Sequence, residues 1–199
     1  MTTDRKKKAL ETRQKLLDTA LKLFAKRGFE HVSIAQITTT CGVSKGTFYT
    51  HFATKYDIVL EKFQEFDAHY VEAAKKIDAS LSPPQKIIAL YDEQMIYLTT
   101  VVGKDIMRTV YTAAMTNQVE HVHYLIHPQR TIFELIRRYL EEGMEQNIFR
   151  KDLSFEAIEK MIQRAMRANV YDWLIHAEDF DLVKEMHDFT TTLLDGIRA

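Results

Sequence analysis

Six glycines and three prolines are the only such residues among these 199, and so few backbone breakers favour long helices over turn-rich β structure. The apolar pattern agrees. Between residues 9 and 27, Leu10, Leu16, Leu17, Ala20, Leu21 and Phe24 recur at three- and four-residue steps and share one face. Gly28 follows Lys26 and Arg27, as expected of a glycine closing a helix in the left-handed conformation. Ser33 with Gln36, Thr54 with Asp57 and Ser82 with Gln85 have capping-box spacing, and Pro83 is tolerated at a first helical position. Helices are therefore expected from about 34, 55 and 83. Gly42 ends the first of these early, and Ser44 caps another of about two turns, 45–52. The helix from 55 carries Ile58, Val59, Phe63, Phe66, Tyr70, Ala73 and Ile77. Later helices are expected at about 83–101, 104–116, 118–126, 128–147, 154–177 and 181–197, and no strand is expected. The fold class is all-α.

With 46% apolar residues the chain can bury a substantial core. Its single cysteine, Cys41, excludes an intrachain disulfide framework and fits a reducing compartment. No uncharged apolar run reaches the roughly 18 residues of a membrane span, and the basic start, Arg5 to Lys8, precedes no secretory core. A cytoplasmic location is expected. Net charge is −1, but its distribution is uneven. Residues 1–56 hold eleven Lys/Arg against four Asp/Glu, a net of +7, and residues 57–199 hold sixteen against twenty-four, a net of −8. A polyanion partner is thus expected at the N-terminal end alone. The expected division is a basic part, 1–56, that meets this partner, and a second, acidic part, 57–199. The boundary falls along the fourth helix rather than in a Gly/Ser linker.

The segment from Ser33 to Lys55 joins two short helices through a glycine-containing turn, the pattern of a helix-turn-helix. In that motif the first helix props the second, whose N-terminal end enters the major groove. Small or polar residues belong there, and Ser44, Lys45, Gly46 and Thr47 supply them. Gly46 costs about 1 kcal/mol of helix stability relative to alanine. Close approach of the backbone to DNA explains that cost; packing against another helix is the alternative.

Residues 37–52, Ile-Thr-Thr-Thr-Cys-Gly-Val-Ser-Lys-Gly-Thr-Phe-Tyr-Thr-His-Phe, resemble the DNA-binding signature of TetR-family repressors. Residues 23–29, Leu-Phe-Ala-Lys-Arg-Gly-Phe, resemble the end of that family's first helix, so the motif match covers about 9–60. Cys41 stands where a small alanine is usual, and Tyr56 where an acidic residue is usual. The resemblance implies that Ser33 and Thr47 bond phosphates and that Ser44, Lys45 and Thr47 approach bases. It implies further that Tyr49 places its hydroxyl on the DNA backbone with His51 beside it, and that Lys55 contacts a phosphate. A phosphate beside Lys55 also suits the free N–H groups of a helix N-terminus. Phe48 and Phe52 read as core. Arg5 to Lys8 read as an arm over DNA or as a solvated tail.

A two-turn recognition helix reaches only a few base pairs, too few to single out a genomic site. A two-fold dimer on a near-palindromic operator resolves this, with its motifs roughly 34–36 Å apart. The broad apolar stripes of the last two helices suit such a homodimer. Ile158, Ile162, Ala165, Trp173, Met186, Phe189 and Leu193 are its candidate interface residues, with an internal core as the alternative. Tyr91, Met95, Met107, Tyr111, Met115 and Tyr124 are candidates to line an effector pocket. Aromatic bodies with polar tips and adaptable methionines suit a largely apolar or aromatic small molecule, although a packed core has the same composition.

His123 and His127 have the four-residue spacing of helical metal ligands, with His121 nearby. Pro128 opposes a helix there, and no further ligand completes a set. No metal, cofactor or catalytic nucleophile is expected, and the chain does not read as an enzyme. The expected function is a DNA-binding regulator, a repressor released from its operator by a small ligand. The rival is a constitutive DNA-binding or partner-binding protein on the same scaffold.

Overall fold

The computed structural model describes residues 2–116, 124–176 and 179–199. Among these are nine α-helices: α1 (Thr2–Arg27), α2 (Ile34–Cys41), α3 (Lys45–His51), α4 (Lys55–Lys76), α5 (Pro83–Tyr97), α6 (Lys104–Thr116), α7 (Thr131–Glu145), α8 (Phe155–Ile175) and α9 (Leu182–Gly196). The all-α expectation holds; the one piece of β pairing among the described residues is an isolated bridge between Phe149 and Arg198. No helix among them is long and apolar enough to cross a membrane. The chain forms two compact units, residues 1–65 with 105–125, and residues 66–104 with 126–199. The helix α4 contributes to both.

Local signals set the helix ends in the first unit. Gly28 and Gly42 adopt φ of 82° and 73°, and the Gly28 N–H closes α1 on the Phe24 carbonyl at 2.8 Å. The expected boxes form. Ser33 N donates to Gln36 Oε1 at 2.7 Å and Ser33 Oγ accepts from Gln36 N at 3.2 Å. Thr54 N donates to Asp57 Oδ2 at 2.8 Å, and Asp57 N to Thr54 Oγ1 at 3.3 Å. Leu16, Leu17, Ala20, Leu21 and Phe24 of α1 are buried, as are Ile37, Cys41, Phe48, Phe52, Ile58 and Val59. Phe24 meets Phe29 edge-on, with ring centres 5.0 Å apart. Cys41 is thus a small core residue. Thr38, also buried, satisfies its hydroxyl on the Ile34 and Ala35 carbonyls at 3.0 and 3.1 Å, which lets a threonine sit inside α2.

Several boundaries differ from expectation. The basic residues Arg5 to Lys8 are helical, the first turns of α1, and exposed on it. Lys8 faces Asp4 at 3.7 Å one turn back. The helix from Pro83 does not stay α-helical to 101. Its last turn, Leu98–Val102, is a π-helix closed by Gly103 at φ 81°. The helix expected from 128 starts at Thr131, because Pro128 holds its neighbours in a turn that the Arg130 N–H closes on the His127 carbonyl at 3.2 Å. The helix expected at 118–126 lies largely outside the described residues; 124–126 form a 3₁₀ turn.

In the second unit α5 packs on α7 and α9, and α8 on α7 and α9. Polar ties cross these contacts. Lys86 Nζ reaches Glu142 at 2.9 and 3.1 Å. Arg137 grips Glu159 Oε1 through Nε at 3.0 Å and Nη2 at 2.8 Å. His187 Nδ1 lies 2.9 Å from Asp92 Oδ2.

The candidate interface residues divide by burial within the chain. Ile158, Ile162, Ala165, Trp173 and Met186 are already buried by their own chain. A single apolar stripe cannot say which partner covers it, and the intrachain packing of α5, α7, α8 and α9 covers most of these. Phe189 stays exposed and Leu193 half-buried. Met161, Tyr171 and Ile175 are exposed on α8, and their spacing alone does not distinguish them from its buried residues. Met161, Ala168 and Ile175 recur at seven-residue steps, close to two turns, so they share one face.

Candidate nucleic-acid interface

The helix α3 is short and strongly capped. Ser44 Oγ accepts the Thr47 N–H at 3.0 Å and lies 2.9 Å from Thr47 Oγ1. Phe48 is fully buried and fastens the helix from beneath, with Phe52 5.7 Å and Tyr49 5.6 Å away between ring centres. Anchoring one face this way turns Ser44, Lys45, Gly46, Tyr49 and Thr50 outward, all exposed. Thr47 and His51 are half-buried at its margin. Tyr49 is 57% exposed, a large value for an aromatic residue whose neighbour is wholly buried.

Gly46 has no internal reason to be glycine. A Cβ built there would meet only the Ser44 Oγ, at an ordinary contact distance of 3.6 Å. Packing against another helix is thereby removed as its explanation.

Beside α3 lies an open cleft of about 550 Å³, lined by Glu30, His31, Val32, Ser33, Ile34, Tyr49, Ala53, Thr54 and Lys55. It gathers Ser33, Tyr49 and Lys55, three of the expected phosphate-side residues. The Lys55 ammonium, however, is turned inward. Nζ donates to the Phe29 carbonyl at 2.7 Å and the Val32 carbonyl at 3.3 Å, and sits 4.2 Å from the centre of the Phe29 ring. Next to it Tyr56 is buried, and desolvation pushes its hydroxyl up to about 12. Arg13 stacks on Phe52 at 4.9 Å and pairs with Glu61 of α4. Aromatic rings hold two cations of this basic region, with backbone carbonyls on Lys55 and the Glu61 carboxylate on Arg13.

The effector candidates fall in different units. Tyr91 and Met95 are fully buried in the second. The Tyr91 hydroxyl donates to the Ile162 carbonyl at 3.3 Å, and burial holds it far above the usual phenol range. Met107 and Tyr111 are buried in the first unit. Met115, the remaining methionine of the candidate pocket, is 69% exposed. The Tyr124 side chain lies outside the described residues. Sequence reasoning missed a buried polar group in the second unit. There Gln94 Nε2 donates to Tyr70 Oη at 3.2 Å and Arg130, 3% exposed, faces Asp67 at 3.7 Å. These residues are far apart in sequence, and no local spacing signals them. Of the metal candidates, His121 and His123 lie outside the described residues. Among the described residues no three His, Cys, Asp or Glu side chains form a metal-holding group.

Comparison with known proteins agrees with this geometry. Residues 16–61 match the family model described as "Bacterial regulatory proteins, tetR family", and residues 113–196 match "YsiA-like protein, C-terminal region". The HTH-type transcriptional regulator AcrR of Shigella flexneri is 25% identical over 197 residues, 96% of this chain and 91% of that protein. The fatty acid metabolism regulator protein of Bacillus subtilis is 21% identical over 189 residues, 92% and 93%. Among solved structures, FadR of Thermus thermophilus in complex with lauroyl-CoA aligns with a TM-score of 0.70 at 21% identity, covering 92% of this chain and 94% of that one. The capped, outward-facing α3 and both family matches lead to one conclusion: the chain belongs to the TetR family and is a DNA-binding transcriptional regulator.

Proposed function

We infer that the protein is a cytoplasmic repressor that grips a near-palindromic operator as a homodimer and lets go when a small, largely apolar or aromatic molecule binds. The observation that carries the DNA side is Gly46, exposed at the start of α3 with room for a methyl group that no part of its own chain excludes. Backbone contact with DNA at that point accounts for it. Ser44, Lys45 and Thr47 then read base edges, while Ser33, Tyr49 and His51 meet the phosphate backbone. The functional division follows the charge, with residues 1–56 on the DNA and 57–199 for regulation and pairing.

For the dimer, the exposed α8 face of Met161, Tyr171 and Ile175, with Phe189 and Leu193 on α9, offers the apolar surface. An aspartate at both Tyr171 and Ile175 should shift the protein toward monomer in sedimentation and weaken operator binding. The effector part rests on Tyr91, Met95, Met107 and Tyr111 as apolar bodies. The related FadR with lauroyl-CoA, and a transcriptional regulator from Saccharomonospora viridis in complex with choline, TM-score 0.65 at 17% identity, support ligand binding on this fold. A second reading, a regulator without an effector, draws on the complete burial of Tyr91 and Met95, which already fill their own unit.

The test begins with selection of duplex DNA by the purified protein, followed by affinity against salt. Salt-sensitive binding to a two-fold symmetric site, weakened by Tyr49→Phe, is expected. Small molecules that bind are then added to the complex. The repressor reading requires one that lowers operator affinity. If every binder leaves that affinity unchanged, the effector-free reading stands.

A further inference from the structure

We propose that Gln94, Tyr70 and Arg130 form the polar anchor of the effector site, and that the ligand they take is an apolar molecule carrying a carboxylate. This rests on the effector reading above and gives its ligand a chemical class. All three residues belong to the second unit. Tyr70 lies on α4, Gln94 on α5, and Arg130 is the N-cap of α7. Each is at most 3% exposed, and buried polar groups are costly unless answered. Gln94 is answered at one end only. Its Nε2 donates to Tyr70 Oη at 3.2 Å, and its Oε1 is buried with no hydrogen-bond partner among the described residues. A half-turn of the amide exchanges the two ends: Tyr70 then donates to Oε1, and Nε2 is left over. That orientation suits the rest of the cluster. Arg130 donates to the Tyr70 oxygen, and burial pushes the Tyr70 hydroxyl up to about 12, so it keeps its own proton to give. Every acceptor of the three side chains is then used, and the surplus is donor.

The charge points the same way. Arg130 and Arg167 both bear on the Tyr91 hydroxyl, about one turn before Gln94 on α5. Asp67 is the carboxylate beside them, 3.7 Å from Arg130. Burial pushes the Asp67 carboxyl above its ordinary value although Arg130 pulls it down, and the exposed Glu134 adds to the rise. A ligand carboxylate would raise it further, so Asp67 accommodates such a ligand by taking up a proton. An ionised carboxylate only accepts hydrogen bonds, and its bond to a guanidinium is about twice as strong as a neutral one. A wholly apolar ligand would leave the Gln94 amide unanswered, and a cation would face two guanidinium groups. Tyr91 and Met95, fully buried on either side of Gln94 in the α5 sequence, supply neighbours for the apolar body of the ligand. A single buried water is the competing occupant.

The test uses the full chain without DNA. Straight-chain fatty acids from hexanoate to myristate, and phenylacetate, are titrated by calorimetry beside their methyl esters. At least one acid should bind about tenfold more tightly than its ester. Gln94→Glu keeps the shape of the side chain and sets a negative charge where the head group would lie, and Arg130→Gln removes the cation. Each should erase the acid-over-ester preference while ester binding stays within about threefold of the parent. A loss shared equally by acid and ester would mark a merely structural role and overturn the proposal, as would a preference that survives Gln94→Glu. Should one variant unfold, the other decides. If the parent binds no acid, or binds acid and ester alike, the amide is answered by water and the proposal falls. The effector reading fails separately: an acid that binds with this preference yet leaves operator affinity unchanged sinks release by ligand and leaves the anchor standing.

Discussion

The Ser44 hydroxyl engages Thr47 twice, accepting its N–H at 3.0 Å and lying 2.9 Å from its Oγ1. One hydroxyl therefore caps a seven-residue helix and orients a side chain that faces outward beside it. A helix this short has little stability of its own, so its cap weighs heavily. Ser44→Ala should lower unfolding free energy by about 1 kcal/mol in urea titrations. It should weaken operator binding by more than that loss explains, because Thr47 is freed as well.

Gly46→Ala separates stability from function. The methyl group has room within the chain, and alanine favours the helix by up to about 1 kcal/mol. The melting temperature should rise or hold, while operator affinity falls by about tenfold, about 1.4 kcal/mol. Affinity equal to that of the parent would remove the case for backbone approach at this position.

His69 stacks on Tyr97 with ring centres 3.8 Å apart and planes 14° from parallel. Its Nε2 is buried without a hydrogen-bond partner. Desolvation outweighs the pull of Glu93 and holds the ring below its ordinary value of 6.5. The folded protein thus binds this proton less readily than the unfolded chain. Stability from this source is present above about pH 6.5 and declines as pH falls through and below it. His69→Phe keeps the stacking and removes the titration. Its urea midpoint should fall less than the parent's between pH 7.5 and pH 5.5, a range chosen around the ordinary histidine value.

Gly143 on α7 is a glycine for packing. A Cβ there would collide with the Phe149 ring, and that ring is fully buried. Gly143→Ala should cost about 2 kcal/mol by overpacking, measured by denaturant unfolding. Gly143→Ala combined with Phe149→Leu should recover part of the loss.

Sequence by itself determined α2, α3, the start of α4 and the outward residues of α3. Ser33 with Gln36, Thr54 with Asp57, Gly28 and Gly42 act over three or four residues, and such signals need nothing distant. The signature around Gly46 was legible for the same reason. Tertiary structure decided which partner covers each apolar stripe. Ile158 and Met186 have the same periodicity whether they meet their own chain or a second copy, and only the packing of α5, α8 and α9 shows that they are internal. It also decided where the Lys55 ammonium goes. The carbonyls that receive it lie 26 and 23 residues earlier, and a flexible cationic side chain takes the strongest acceptors the folded chain brings within reach.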